Sequence, residues 1–251
     1  MTGFVSLVGA GPGDSELLTL RALRRLRDAD LVLNDALVQA ELLELAPKAQ
    51  RFFVGKRAGR HSIDQDEINR LMVRAAQRGQ RVVRLKCGDP FVLGRGGEEA
   101  LALEAAGIPY EVVPGVTSAI AAPGLAGIPV THRGVASGFA VVSGHAESVF
   151  GPILDGIAPG VVTLVVLMGV KSRAAIAARL IANGWPAHTP AAIAYGASHP
   201  EGITWIGELA ALGEASFASE LPAVLVIGEV VALANRIGFA RHDRRALEQT
   251  S

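Results

Sequence analysis

Asp89, Arg95, Glu98 and Glu99 fall within one short stretch, RVVRLKCGDPFVLGRGGEE from Arg81 to Glu99, together with Gly88, Gly94, Gly96, Gly97 and the lone Cys87. A β-branched run at Val82 and Val83, then Leu85, reads as a strand that Gly88-Asp89-Pro90 stops. GEEALALEAAG follows with apolar residues at helical spacing, and Gly107 ends it. Strand, glycine loop and helix in that order bring backbone close to a ligand. Glycines that merely turn the chain would look similar, but an exposed turn needs neither both charge signs nor this many glycines. The stretch therefore reads as ligand-facing.

Other residues offer chemistry from elsewhere in the chain. Asp35 ends the apolar strand Leu31 to Leu33, where it is either a general base or the side chain of an Asx turn. After the strand Arg51 to Val54, the run RFFVGKRAGRH brings Arg51, Lys56, Arg57, Arg60 and His61 together without an acid. A solvated face is the simpler reading of such a run. Gly55 and Gly59 among the charges favour a loop that grips carboxylates or phosphates through paired donors. GAGPGD, Gly9 to Asp14, resembles a dinucleotide fingerprint but fails at the third glycine position. Its place between the strand Phe4 to Val8 and the helix Leu17 to Arg27 still predicts a ligand-facing turn, because a helix N-terminus offers unpaired N–H groups. His132 and Arg133 head a loop and, taken alone, carry little weight.

These residues are positioned by alternating strands and helices. RFFV with the helix Asp64 to Arg78, RVVRL with Glu98 to Ala106, and the strand Tyr110 to Val113 argue a largely parallel α/β sheet. A helix of small residues is expected over Val116 to Ala122. Beyond Gly134 the pattern changes to strands at Phe139 to Ser143, Val162 to Met168, Ala191 to Tyr195, Ile203 to Ile206 and Ala223 to Ile227. Clear helical periodicity there is confined to Lys171 to Asn183, which argues a mixed sheet with antiparallel pairing. The expected division is an N-terminal α/β domain over 1–134, a C-terminal mixed α/β domain over 135–240 and a polar tail over 241–251.

Composition limits the function classes. The chain has 251 residues, enough for a sizeable core, and 24 basic and 24 acidic side chains, so no global field favours nucleic acid. Half is hydrophobic, yet the longest strongly apolar run, Val161 to Met168, is too short to cross a bilayer. The first basic residue is Arg21, so the basic opening of a secretory signal is absent, and a cytoplasmic protein is expected. A single cysteine excludes an internal disulfide and a multi-cysteine metal site, in keeping with a reducing compartment.

VSLVGAGPGDSELLTLRA, VGKRAGRHSIDQDEIN, LKCGDPFVLGRGGEE, VPGVTSAIAAPGLAGIPVTHRG, VVLMGV and TPAAIAYG occur across nearly the whole chain. The set resembles the uroporphyrinogen-III C-methyltransferases of the tetrapyrrole methylase family, VGKRAGRH and THRG being its most specific members. The resemblance implies a two-domain α/β fold with a ligand cleft between domains, a homodimer, S-adenosylmethionine as methyl donor and no metal. The implied reaction is two successive C-methylations of uroporphyrinogen III to precorrin-2, on the route to sirohaem, cobalamin or haem d1. It further implies that Pro12, Cys87, Gly88, Asp89, Val92, Thr117, Ser118, Met168, Ala192, Gly196 and Ala223 bind the donor. Asp35 and Lys56 match a proposed proton acceptor and donor, and Arg95 and Glu98 match another proposal for the base. Arg57, Arg60, His61 and Arg133 answer the carboxylates of the tetrapyrrole.

The chain departs from that family where Cys87 replaces a glycine, Asn34 a tyrosine and Leu93 a phenylalanine. A stand-alone methylase is expected, without a dehydrogenase and chelatase module. A methylase of another precorrin and a non-catalytic S-adenosylmethionine-binding paralogue are the alternatives. An NAD-dependent oxidoreductase rests on GAGPGD alone, and the missing third glycine and ribose-binding acid count against it.

Overall fold

A computed structural model describes residues 2–55, 63–215 and 221–237. The chain divides into two compact units, Met1–Thr117 and Ser118–Ser251, each built on a sheet of its own.

The first unit alternates β1 (Phe4–Gly9), α1 (Leu20–Asp28), β2 (Leu31–Asn34), α2 (Ala40–Glu44), β3 (Gln50–Phe53), α3 (Gln65–Gln77), β4 (Arg81–Lys86), α4 (Gly96–Ala105) and β5 (Tyr110–Val113). Two helix starts are set by side-chain caps: Thr19 accepts from the Ala22 N–H at 3.2 Å, and Asp64 from the Glu67 N–H at 2.7 Å. The five strands pair in parallel in the order β3-β2-β4-β1-β5. Val5, Leu7, Leu33 and Val82 pack with Ile68 and Met72 of α3 and Leu103 of α4. On the other face, Val8, Val32, Val83 and Leu85 pack with Ala22 and Leu26 of α1 and Leu42 of α2. Helices cover both faces, which is why these strands read as continuous apolar runs.

The connections place the site. Neighbouring strands β1 and β4 send their chains to α1 and α4, on opposite faces of the sheet. Loops that part in this way leave a crevice at the carboxyl ends of the strands, where α/β sheets take their ligands.

The second unit contains α5 (Ser118–Leu125), β6 (Phe139–Ser143), α6 (Glu147–Asp155), β7 (Thr163–Leu167), α7 (Arg173–Ala182), β8 (Pro190–Tyr195), β9 (Ile203–Glu208) and β10 (Ala223–Ile227). Its sheet runs β6-β7-β10-β8-β9. β6 and β7 are parallel, and β10 is antiparallel to both its neighbours. Phe150, Leu154, Ile176 and Leu180 of α6 and α7 pack on one face. Ala119 and Ala122 of α5 pack on the other, against Val165, Ala192, Val224 and Val226. That packing assigns α5 to the second sheet and puts the division between Thr117 and Ser118, ahead of the compositional change read near Gly134. Helix α6 was not expected from periodicity, because Gly151 and Pro152 interrupt its pattern. Gly151 has a structural reason: a Cβ there would lie 2.9 Å from Cζ of Arg179, which crosses from α7. Among the described residues no helix is long and apolar enough to cross a membrane.

Candidate active site

The turn after β4 and the turn after β1 are bonded to each other. The Gly88 N–H donates to the Gly11 carbonyl at 2.7 Å, the Gly11 N–H to the Gly88 carbonyl at 3.2 Å, and the Ala10 N–H to the Lys86 carbonyl at 2.7 Å. The segment after β5 joins them at close range. A Cβ on Gly115 would lie 2.3 Å from the Gly88 carbonyl oxygen, and one on Gly9 would lie 2.6 Å from Cα of Gly115. Asp89 fastens the junction, its Oδ2 accepting from the Gly115 N–H at 3.0 Å and its Oδ1 from the Phe91 N–H at 2.8 Å. Cys87 Sγ lies 3.8 Å from the Gly11 carbonyl. Pro12, Cys87, Gly88 and Asp89 are thus held together at the carboxyl ends of β1 and β4. Val92 follows through its N–H to the Asp89 carbonyl, at 3.4 Å.

Beside this junction lies a cavity of about 620 Å³, lined by Asp35, Val54, Gly55, Ile63, Asp64, Gln65, Asp66, Ile68, Arg84, Lys86, Leu93, Gly94 and Arg95. Its floor is charged and buried. Arg84 is 2% exposed and donates from Nη2 to Asp35 Oδ1 at 2.5 Å and from Nε to Glu99 Oε1 at 2.8 Å. Its Nη1 reaches the carbonyls of Leu33 and Leu85, each at 3.3 Å. Lys86 Nζ, 3% exposed, donates to the same Glu99 oxygen at 2.8 Å and lies 4.0 Å from Asp35 Oδ2. Gln65 adds a third donor to Glu99 Oε1 at 3.1 Å, whereas Oε2 has no partner among the described residues. Burial pushes the Lys86 ammonium below its ordinary pKa, and Arg84 adds to the effect; Glu99 and Asp35 oppose it.

Arg95 and Glu98 form a two-bond pair at 2.8 and 2.7 Å on the exposed start of α4. The hydrogen bond from Arg95 holds the Glu98 carboxyl below its usual range, and the reciprocal bond raises Arg95. Arg95 has φ 60 and Leu93 φ 54, left-handed conformations that both residues hold without a glycine's freedom.

Sequence reasoning overlooked Arg84 and Lys86 and gave Glu99 no role. The available signal was two cations spaced by two, Arg84 and Lys86, after the exposed Arg81 in a strand whose other residues are apolar, which puts both on one face. That face is the one under α3 and α4, so their charge is met by Glu99 of α4 rather than by water.

In the second unit, Met168 (φ 59) and Gly196 (φ 50) directly follow β7 and β8, and Ala223 opens the antiparallel β10 between them. These three share one end of the sheet. Ala192 does not share it: it is fully buried within β8, paired with Val226 and packed in the α5 cluster. Ser118 begins α5, and Thr117 ends the first unit. Arg133 is exposed in a turn closed by the His132 N–H to the Ala136 carbonyl at 3.0 Å. Lys56, Arg57, Arg60 and His61 lie outside the described residues, as does the tail 241–251. Among the described residues no group of His, Cys, Asp and Glu is arranged to hold a metal ion.

A parallel α/β unit with a glycine-bonded crevice, followed by a mixed five-stranded unit, is the architecture of one methylase class, and the sequence agrees: residues 5–213 match the Tetrapyrrole (Corrin/Porphyrin) Methylases. The chain belongs to that family. It is 48% identical over 250 residues to siroheme synthase 1 of Serratia proteamaculans, covering 97% of this chain and 52% of that protein. It is 47% identical to the siroheme synthase of Sodalis glossinidius, covering 98% of this chain and 53% of that protein. The chain thus spans about half the length of these curated relatives. Among solved structures it is similar to the uroporphyrin-III C-methyl transferase of Thermus thermophilus complexed with S-adenyl homocysteine, at 47% identity and TM-score 0.80, covering 92% of this chain and 100% of that one. A cobalt precorrin-4 methyltransferase of cobalamin biosynthesis matches at 26% identity and TM-score 0.80, over 91% of this chain and 95% of that one.

Proposed function

We propose that this protein is an S-adenosylmethionine-dependent C-methyltransferase that methylates uroporphyrinogen III twice, giving precorrin-2. The observation that carries this reading is the likeness, over that chain's full length, to the Thermus enzyme complexed with S-adenyl homocysteine. The bonded turns Gly9–Gly11 and Cys87–Asp89 support it. They bring backbone and the half-buried Pro12 and Cys87 to the carboxyl ends of β1 and β4, where α/β sheets take their ligands. Pro12, Cys87, Gly88, Asp89, Val92 and Thr117 would hold the donor in the first unit. Ser118, Met168, Gly196 and Ala223 would do so in the second, with Ala192 serving as packing behind them.

S-adenosylmethionine supplies a methyl group on a sulfonium, so the protein's share of the work is to orient the carbon nucleophile and remove a proton. Asp35 is the proton acceptor in this reading: it lines the cavity, and Arg84 fixes its orientation. Lys56 is the corresponding donor, and Arg95 with Glu98 flanks the cavity mouth. Arg57, Arg60, His61 and Arg133 hold tetrapyrrole carboxylates by paired hydrogen bonds. The protein acts in the cytoplasm as a homodimer and feeds sirohaem, cobalamin or haem d1 synthesis; the family resemblance and the single cysteine support this placing.

The test supplies uroporphyrinogen III anaerobically with S-adenosylmethionine and reads product mass. Two added methyls are expected. One methyl would move the assignment to a different precorrin step, and none would overturn it. Arg57→Ala and Arg60→Ala are expected to weaken tetrapyrrole binding and leave S-adenosylhomocysteine affinity unchanged by calorimetry; the reverse pattern would refute the role given to those residues.

A further inference from the structure

Lys86 is an unusual residue for the floor of a cavity. It ends the central strand β4 with its ammonium 3% exposed, yet it lines the open volume beside Asp35. Arg84 spends its donors on Asp35, Glu99 and two carbonyls, a fixed brace that cannot release a proton. Among the described residues Lys86 makes one hydrogen bond, to Glu99, and the 4.0 Å to Asp35 Oδ2 is a gap that its flexible stem can close. The cluster thus sets a rigid cation and a titratable one against the same two carboxylates.

Resting on the methyl-transfer reading, we propose that Lys86 stores the proton that Asp35 removes from the methylated macrocycle. Methyl transfer from a sulfonium leaves the positive charge on the macrocycle, which discharges it by losing one proton while the bonding electron pair stays on the ring. The Asp35 carboxylate takes that proton and passes it to the neutral amine of Lys86, which becomes an ammonium paired with Glu99 and then returns the proton to solvent. The charged groups facing Lys86 are Arg84 on its own strand, Asp35 after β2 and Glu99 on α4. Asp64 and Asp66 at the start of α3 and Arg95 before α4 line the same cavity. Burial and Arg84 favour the neutral amine, while Glu99 and Asp35 make the protonated form attainable. This balance suits a group that must hold a proton and give it up.

The experiment is single-turnover methylation of uroporphyrinogen III across pH by wild type, Lys86→Arg and Glu99→Gln, with S-adenosylhomocysteine affinity and Tm as folding controls. Arginine keeps the positive charge and the reach to Glu99 but does not deprotonate in proteins. Lys86→Arg is therefore expected to bind S-adenosylhomocysteine normally and to lose roughly 100-fold or more in rate, within the usual range for a lost acid–base group. Wild-type rate should rise with pH through the Lys86 pKa. Removing the Glu99 charge, which favours the ammonium, moves that rise to lower pH. A Lys86→Arg enzyme within threefold of wild type overturns the proposal and leaves the methyltransferase reading intact. So does a Glu99→Gln profile that is unmoved or moved upward. Absence of any methylation by wild type overturns both. If Glu99→Gln fails to fold, the Lys86→Arg rate decides.

Discussion

Replacing Gly115 by alanine should disable the first unit's ligand crevice through sterics alone. Gly115 shows no positive φ, so alanine adopts its backbone without strain, and the whole effect comes from the added methyl. That methyl would lie 2.3 Å from the Gly88 carbonyl oxygen and 2.7 Å from Cα of Gly9, backbone atoms with no rotamer to give way. The loops must part by about 1 Å to bring the first contact from 2.3 Å to 3.4 Å, where ordinary contact begins. Parting them strains a tightly packed junction, at ~1–3 kcal/mol. It also stretches the 3.0 Å bond from the Gly115 N–H to the Asp89 carboxylate, a charge-assisted bond of ~1.5–3 kcal/mol. A combined loss on the order of 4 kcal/mol corresponds to a fall in Tm on the order of 10 °C for a chain of this size. S-adenosylhomocysteine affinity should fall with it, because Gly88 and Asp89 move. Gly97→Ala is the matched control: nothing lies within 4 Å of its Cβ position, and it sits in the first turn of α4. It should stabilise by about 0.4–1 kcal/mol through the unfolded chain. Differential scanning calorimetry and ligand titration on both variants decide the matter. A Gly115→Ala protein with wild-type Tm and affinity would refute the reasoning.

Arg84→Met should cost about 3–5 kcal/mol in denaturant unfolding, because it removes a buried partner from both the fully buried Glu99 and Asp35; wild-type stability would show that the ion cluster is not needed for folding. Asp155, held to about 2 from an ordinary 3.8 by Arg179 first and Asn183 second, should stabilise the α6–α7 pair fully above pH 3.8 and lose that contribution as pH falls through about 2. The stability difference between wild type and Asp155→Asn is therefore expected at pH 5 and absent below pH 2; a difference that grows as pH falls would contradict the assignment.

The parts of the fold that were legible in sequence are those where one physical signal dominates. Tyr110–Val113, Phe139–Ser143 and Ala223–Ile227 are strands with the bounds read from their β-branched and apolar runs. The bonded turns were legible as glycine clusters at strand ends. Helix α6 was not, because Gly151 makes room for Arg179 and Pro152 sits within the helix, so that tertiary packing outweighs periodicity. The start of α1 also moved, from Leu17 to Leu20, since a short 3-10 turn over Ser15–Leu17 precedes the Thr19 cap. The charged floor was the largest omission. A lysine or arginine in a strand ordinarily reads as solvent-facing, and the partners that bury Arg84 and Lys86 come from Asp35 and Glu99, on other elements. No local window contains all four.

The position of β1 has a consequence for how the chain reaches this state. It is hydrogen-bonded on both sides, to β4 from Phe4↔Arg81 to Gly9↔Lys86 and to β5 from Val5↔Tyr110 to Val8↔Val113. A strand made early thus waits for two made much later, and non-local parallel pairing of this kind is slow to form. At ~5–20 residues per second of synthesis, Val5, Leu7 and Val8 emerge on the order of ten seconds before β5 exists to cover their open edge. The crossing of Gly9, Gly88 and Gly115 closes only after that, so the ligand crevice is among the last features of the first unit to assemble, and a nascent chain stalled before Tyr110 would carry an unpaired apolar edge and no binding site.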